Sequence, residues 1–510
     1  MQSSSRQLRY GAIISYVAIF VNILIGLVYT PWMIKSIGKG DYGLYTLAMS
    51  IISIFIFDFG LSSAVTKFVA NHIASGTKSM IGKLLGIVYK LYICIDVFLL
   101  LILSLVYFII PIIYKGLSPD ELDKFKVVFV IAATFSVISF PFIPFNGILS
   151  AFEKFIQLKL CELVHKLITV ALMSWCLFKG WGLYALVVIN AVSGIIVILF
   201  KWYIISTQTK IEIDWNYWDK PMLKAILGFS GWVTVIALCQ RMIFNLAPSV
   251  LGSVSNASSI AIFGIAATLE GYVYTFASAI GGLFLPRVSH LVNNDDGKSL
   301  NDLTIKVGRL QIFIITFIIL GFIAVGRNFI TLWVGDSYHE VYVCAILLMI
   351  PSFLYLPMEV ANTTVIVKNK VKAQSKVFLF MALVNLMLSV PLSKYFGAQG
   401  MCISILVAYL CRTLGMNIVY KRELEIDLKI FYQKTFLSLL LPISLLFVLS
   451  LIFNFFKIFP ENIYGFFLCA LSYVVVFALV FWTIGFNRSE KELVFSLVSP
   501  IYKKSRKVNC

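Results

Sequence analysis

Ala225 to Leu251 reads AILGFSGWVTVIALCQRMIFNLAPSVL, twenty-seven residues carrying a single charge, Arg241. A helix rises 1.5 Å per residue, so about 20 residues cross a hydrocarbon core of about 30 Å, and this stretch is long enough. Ala12 to Ile34 meets the same test with no charge at all. In lipid a helix satisfies its own backbone hydrogen bonds within one segment, so both stretches are expected to be membrane-spanning helices. Working outward along the chain, the same reading yields about fourteen spans. They fall at 12–34, 43–66, 84–110, 127–150, 160–178, 182–200, 225–251, 257–285, 310–326, 341–366, 377–393, 400–420, 435–456 and 464–485. The expected fold is all-α and polytopic, with spans joined by short loops.

Composition supports this reading. The 510 residues are 60% hydrophobic and only 13% charged, with a mean hydropathy of +0.93, too little polar surface for a water-soluble globule. No stretch outside the spans is long enough for an appended catalytic domain, so no enzyme activity is expected. The net charge of +18 raises nucleic acid as a partner, but its distribution argues against that. With the N-terminus inside, 32 of the 42 Lys and Arg residues fall on the cytoplasmic side, 9 fall outside and Arg241 lies within a span. That is the positive-inside pattern, which places both termini in the cytoplasm.

Several sequence signals are expected to be silent. The first span is too long for a secretory signal and lacks a clear cleavage site, so it should be retained. Eight of nine cysteines lie inside spans with no CxxC pair, which reads as small apolar packing rather than disulfide or metal. Gly297-Lys298-Ser299 lacks the earlier glycine of a phosphate-binding loop, and the four histidines form no HExxH. No cofactor, metal or catalytic residue is expected.

Three landmarks recur at nearly one offset. Pro31 corresponds to Pro248, Phe152-Glu153-Lys154-Phe155 to Lys368-Asn369-Lys370-Val371, and Gly182-Leu183 to Gly400-Met401, each pair 216 to 218 residues apart. Two parallel six-helix repeats plus two C-terminal helices account for this. The expected organisation is a lobe over 1–206, a cytoplasmic linker over 207–224, a second lobe over 225–422 and two further helices with a basic tail over 423–510. Trp215, Tyr217 and Trp218 in the linker are expected at the membrane interface.

An ionisable group at a helix centre costs about 2.5 to 3.5 kcal/mol on insertion scales, so such residues mark function or pairing. Arg241 sits near the middle of the seventh span, with Gln240 beside it and Asn245 one turn on. It is expected either to pair with Glu270 in the next span or to line a cavity and meet an anionic substrate. Asp58, Asp96, Glu270 and Glu359 are candidate proton- or sodium-coupling carboxylates, or partners of nearby cations. Lys67, Arg287 and Arg412 lie toward the cytoplasmic ends of spans, where they would either reach the headgroups or receive a phosphate group at a cavity mouth. Pro141, Pro144, Pro351, Pro357, Gly281 and Gly282 interrupt spans, as hinges or as static kinks.

The run Ser36-Ile37-Gly38-Lys39-Gly40-Asp41-Tyr42-Gly43-Leu44-Tyr45, followed by Phe57-Asp58-Phe59-Gly60-Leu61-Ser62-Ser63-Ala64-Val65-Thr66-Lys67, resembles polysaccharide transporters of the O-antigen flippase (Wzx-type) family. Leu283-Phe284-Leu285-Pro286-Arg287-Val288-Ser289 is similar to that family's eighth-span ending. The resemblance implies the fold of the multidrug/oligosaccharidyl-lipid/polysaccharide exporter superfamily. It implies as substrate an undecaprenyl-diphosphate-linked oligosaccharide carried from the inner to the outer leaflet, with glycan polymerase and chain-length machinery as further partners. The alternatives are an ion-coupled multidrug antiporter of the same fold, against which a midplane arginine argues, and a membrane-embedded glycan polymerase or glycosyltransferase.

Overall fold

The computed structural model describes residues 2–55, 60–75, 77–209, 211–282, 284, 288, 291, 292, 294, 296–368, 370–455, 462–488 and 490–492. Among these, helix is nearly continuous and no strand occurs. The helices are α1 (Gln2–Ile37), α2 (Lys39–Phe55), α3 (Leu61–Ala74), α4 (Lys78–Ile113), α5 (Pro119–Ser139), α6 (Pro144–Ala151), α7 (Phe155–Phe178), α8 (Leu183–Gln208) and α9 (Lys220–Phe244). They continue with α10 (Ala247–Val254), α11 (Ala257–Gly282), α12 (Gly297–Val334), α13 (Glu340–Tyr355), α14 (Glu359–Val367), α15 (Val371–Glu423), α16 (Leu428–Tyr432), α17 (Leu440–Phe455) and α18 (Ile463–Val480). Among the described residues, eleven helical stretches are long and apolar enough to cross a membrane, or twelve when the bent pair Leu428–Leu437 and Leu440–Phe455 is taken as one span. The fourteen expected segments are consistent with this, because α15 runs through a kink at Gly397 that divides it in two. Gly397 has φ +54, a left-handed conformation that costs little only where there is no Cβ.

Two breaks inside spans fall at prolines, whereas Pro111, Pro351 and Pro391 stay within their helices. A proline removes one backbone donor and crowds the preceding turn, so the helix locally tightens or stops. Pro141 lies in the 3-10 turn Phe140–Phe142 between α5 and α6, and Pro357 lies in the 3-10 turn Leu356–Met358 between α13 and α14. The two turns stand 216 residues apart, the offset already present in the sequence landmarks. Pro31, by contrast, is accommodated inside α1, whereas α9 stops at Phe244 and α10 restarts just before Pro248.

The expected boundaries need two corrections. The second span is not one helix over 43–66, since Gly60 (φ +65) precedes a separate helix α3 that reaches Ala74. The helix of the expected span 310–326 starts earlier, since α12 begins at Gly297, where the Asp296 side chain accepts from the Ser299 N–H as its cap.

The chain divides into two compact units. The first comprises 1–279, 343–348 and 369–419. Within it, the stretch after α8 lies against α4 instead of hanging free. The Asp214 N–H donates to the Gly82 carbonyl at 3.2 Å, Lys90 Nζ donates to the Tyr217 carbonyl at 3.1 Å, and the Lys83 ammonium stands 5.0 Å from the Tyr217 ring centre. Glycine permits this closeness, since a Cβ at Gly86 would stand 2.0 Å from the Asp214 carbonyl oxygen. Gly86→Ala is therefore expected to destabilise the protein by about 1 to 3 kcal/mol through overpacking. The readout is a lowered unfolding midpoint in detergent together with faster proteolysis between residues 209 and 219; wild-type values for both would refute it. In the same unit Ser404 Oγ lies 3.0 Å from the Asn385 carbonyl and 2.8 Å from its Oδ1, tying together the two halves of α15.

The second unit comprises 280–342, 349–368 and 420–510. Within it, Arg309 on α12 ties together segments distant in sequence. Nε donates to Glu490 Oε1 at 2.5 Å, one terminal nitrogen donates to Glu490 Oε2 at 2.9 Å and to the Gly485 carbonyl at 3.0 Å, and the other donates to the Lys434 carbonyl at 2.8 Å and Ser438 Oγ at 2.6 Å. All five guanidinium donors are thus used. Two of the acceptors lie in π-helical turns, Gln433–Leu437 after α16 and Phe481–Gly485 after α18. A π turn shifts the backbone register by one residue, which turns carbonyls outward where a donor can reach them.

Candidate functional site

Arg241 occupies the last turn of α9, close to the break before α10, where the helix dipole favours a cation. Counted from Lys220 to Val254, it lies roughly 6 Å past the middle of the broken helix pair. One terminal nitrogen donates to the Ser53 carbonyl and, at 3.1 Å, to Ser53 Oγ on α2. Asn245 Nδ2 donates to the same hydroxyl at 2.9 Å. The sequence placed Arg241 and Asn245 on one helical face, and the structure joins them through Ser53. Ser53 was not singled out, since a serine 188 residues away in an apolar run carries no local signal. Gln240 points elsewhere and is exposed. Arg241 and Asn245 are half-buried as residues, and the guanidinium is anchored at Ser53.

Glu270 is 7% exposed and lies at the middle of α11. Arg412 is also 7% exposed and lies near the middle of the second half of α15, not toward a span end as expected. Its guanidinium carbon stands 4.7 Å from the Phe378 ring centre and 5.5 Å from that of Tyr409. Stacking on ring faces suits a planar, weakly hydrated cation in a dry site. Glu270 and Arg412 both lie within electrostatic reach of Tyr409, so opposite charges share one apolar neighbourhood.

The remaining candidates are dispersed. Asp96 is half-buried on α4, with Oδ1 shielded and making no hydrogen bond among the described residues. Glu359 is the first residue of α14, directly after the 3-10 turn Leu356–Met358, and its N–H donates to the Leu356 carbonyl. Lys67 is exposed on α3, with its ammonium 6.0 Å from the Phe68 ring centre. Asp58 and Arg287 lie outside the described residues. Among the described residues no group of His, Cys, Asp and Glu has metal-binding geometry.

Residues 36–343 match the family described as polysaccharide biosynthesis protein. The chain belongs to that polysaccharide biosynthesis family. Among solved structures, the chain is similar to the lipid II flippase MurJ in an inward closed conformation, at 15% identity and a TM-score of 0.68, over 94% of this chain and 98% of that one. It is also similar to an inward-facing multidrug resistance MATE family transporter of the MOP superfamily, at 13% identity and a TM-score of 0.67, over 81% and 98%. A MOP superfamily transporter from Pyrococcus furiosus, whose description reports a binding pocket of reversed polarity, aligns at 12% identity and a TM-score of 0.58, over 82% and 96%. No curated protein matches the sequence. The likeness carries the fold: this family member is a multi-pass membrane protein with the helical architecture of MurJ and the MATE transporters.

Proposed function

We propose that the chain is a flippase that moves an undecaprenyl-diphosphate-linked oligosaccharide from the inner to the outer leaflet of a bacterial cytoplasmic membrane. Membership of a polysaccharide biosynthesis family and a fold shared with a lipid flippase support a lipid-linked glycan as the class of substrate. The observation that carries the reading is Arg241, a half-buried residue whose guanidinium is anchored at Ser53 within a membrane span. A diphosphate needs such a cation, and charge-assisted bonds to phosphate are roughly twice as strong as neutral ones. The glycan needs a wet path, and the lipid tail can stay in the bilayer. In this reading the lobes 1–206 and 225–422 alternate between inward and outward access, both termini face the cytoplasm, and a proton or sodium gradient acting through Asp58, Asp96, Glu270 or Glu359 supplies the drive. Lys67, Arg287 and Arg412 add positive charge along the route, and polymerase and chain-length machinery take over the product.

The test is flipping of a fluorescent undecaprenyl-diphosphate oligosaccharide by the full chain in proteoliposomes. Protein-dependent movement of the label supports the proposal. No movement, accompanied by gradient-driven efflux of organic cations, would favour an antiporter instead.

A further inference from the structure

Within the first unit, α4 and α5 leave a groove between them in the halves that the positive-inside pattern turns away from the cytoplasm. It holds about 350 Å³ and is lined by Leu100, Ser104 and Phe108 on α4 and by Val130, Ala133 and Val137 on α5. Spacings of three and four residues put each set on one helical face. Room comes from short side chains, since Ser104, Ala133 and Thr134 sit between longer residues at either end. Ser104 Oγ donates to the Leu100 carbonyl and Thr134 Oγ1 to the Val130 carbonyl, each at 2.8 Å, so both hydroxyls are satisfied within their own helices. Leu101, Leu105 and Phe108 are 63%, 63% and 76% exposed, and in a membrane span such a face meets acyl chains.

The same face of α5 carries charge where it leaves the hydrocarbon. Asp123, Lys126, Val130, Ala133 and Val137 follow one another at intervals of three, four, three and four, a single stripe whose last three members line the groove. Lys126 Nζ stands 3.0 Å from Asp123 Oδ1, with the lysine side chain 31% exposed and the aspartate side chain 78%. Lys126 lies four residues, roughly 6 Å, beyond Val130 toward the helix start. Side chains on a helix lean toward its N-terminus, so both charges lean away from the groove and toward headgroup level. An exposed ion pair contributes little to stability, so this one opens to a ligand at little cost.

We propose that the groove and the Asp123–Lys126 pair above it bind a zwitterionic phospholipid whose headgroup ends in a primary ammonium, namely phosphatidylethanolamine. One acyl chain lies in the groove, the phosphate accepts from the Lys126 ammonium, and the ethanolamine ammonium donates to the Asp123 carboxylate. The two opposite charges select this headgroup. A choline has no N–H to donate, and phosphatidylglycerol brings no cation to Asp123. The site does not involve Arg241 and does not depend on the flippase reading.

Full-length protein in neutral detergent, examined by native mass spectrometry with added phosphatidylethanolamine, phosphatidylcholine or phosphatidylglycerol of identical acyl chains, tests the site. Wild type is expected to retain phosphatidylethanolamine about fivefold better than either of the others, the effect of one charge-assisted hydrogen bond discounted for exposure. Asp123→Asn, a change at an exposed side chain, is expected to abolish the preference over phosphatidylcholine. Ala133→Phe, which fills the groove, is expected to lower retention of all three severalfold. Equal retention of the three lipids by wild type, or an undiminished preference in Asp123→Asn, overturns the proposal even if the phenylalanine variant fails to fold. Undiminished retention in a folded Ala133→Phe overturns it too. Displacement of the retained lipid by undecaprenyl phosphate would assign the groove to a polyprenyl chain instead.

Discussion

Arg309→Ala is expected to lower the stability of the protein by about 3 kcal/mol. Removing one partner of a buried ion pair costs about 3 to 5 kcal/mol, and the lower end applies because Glu490 is 25% exposed. The loss reaches beyond that pair. The carbonyls of Lys434 and Gly485, turned out by the two π turns, lose their donor together with Ser438 Oγ. Arg309→Lys should recover little, since an ammonium has no fork to reach a carboxylate and two carbonyls at once. The measurement is the unfolding midpoint in detergent, with proteolysis of the chain around Glu490 as a second readout. An unchanged midpoint with wild-type protection would show that the cluster holds nothing in place.

The second large effect concerns transport. If Arg241 meets the diphosphate, Arg241→Ala should reduce flipping at least about 30-fold, because truncating one partner of a hydrogen-bonded charge pair costs about 2 kcal/mol or more and each 1.4 kcal/mol is a factor of ten. The fold should tolerate the change, since Ser53 keeps Asn245 as a donor at 2.9 Å. Arg241→Lys should fall between the two, retaining charge but not planar, bidentate geometry. A folded alanine variant that flips at the wild-type rate would leave Arg241 a purely structural tie between α9 and α2.

The spans were legible because lipid imposes a length and a composition on every crossing, and residues 225–251 carry both within one window. Breaks were legible where proline caused them, as at Pro141 and Pro357. The π turns at Gln433–Leu437 and Phe481–Gly485 were not, since no residue type demands them and their acceptors serve an arginine more than a hundred residues away. The same reason hid Ser53. The ring partners of Arg412 were hidden for the same reason, since Phe378 lies in the other half of α15. Composition identified which charges were costly, and only the fold supplied their company.

The glycine-lined seat of the interhelical linker on α4 has a mechanical consequence. Residues 212 to 218 are clamped by hydrogen bonds at Gly82 and Lys90, and α9 begins only two residues later, at Lys220. The connection is therefore a short gear rather than a slack tether. Any tilt of α9 that carries Arg241 up or down must either drag α4 with it or first unseat the linker from Gly86. A spectroscopic label pair placed on α4 and at the start of α9 would keep a nearly constant distance for as long as the linker stays seated, and a changed distance would mark its release from Gly86.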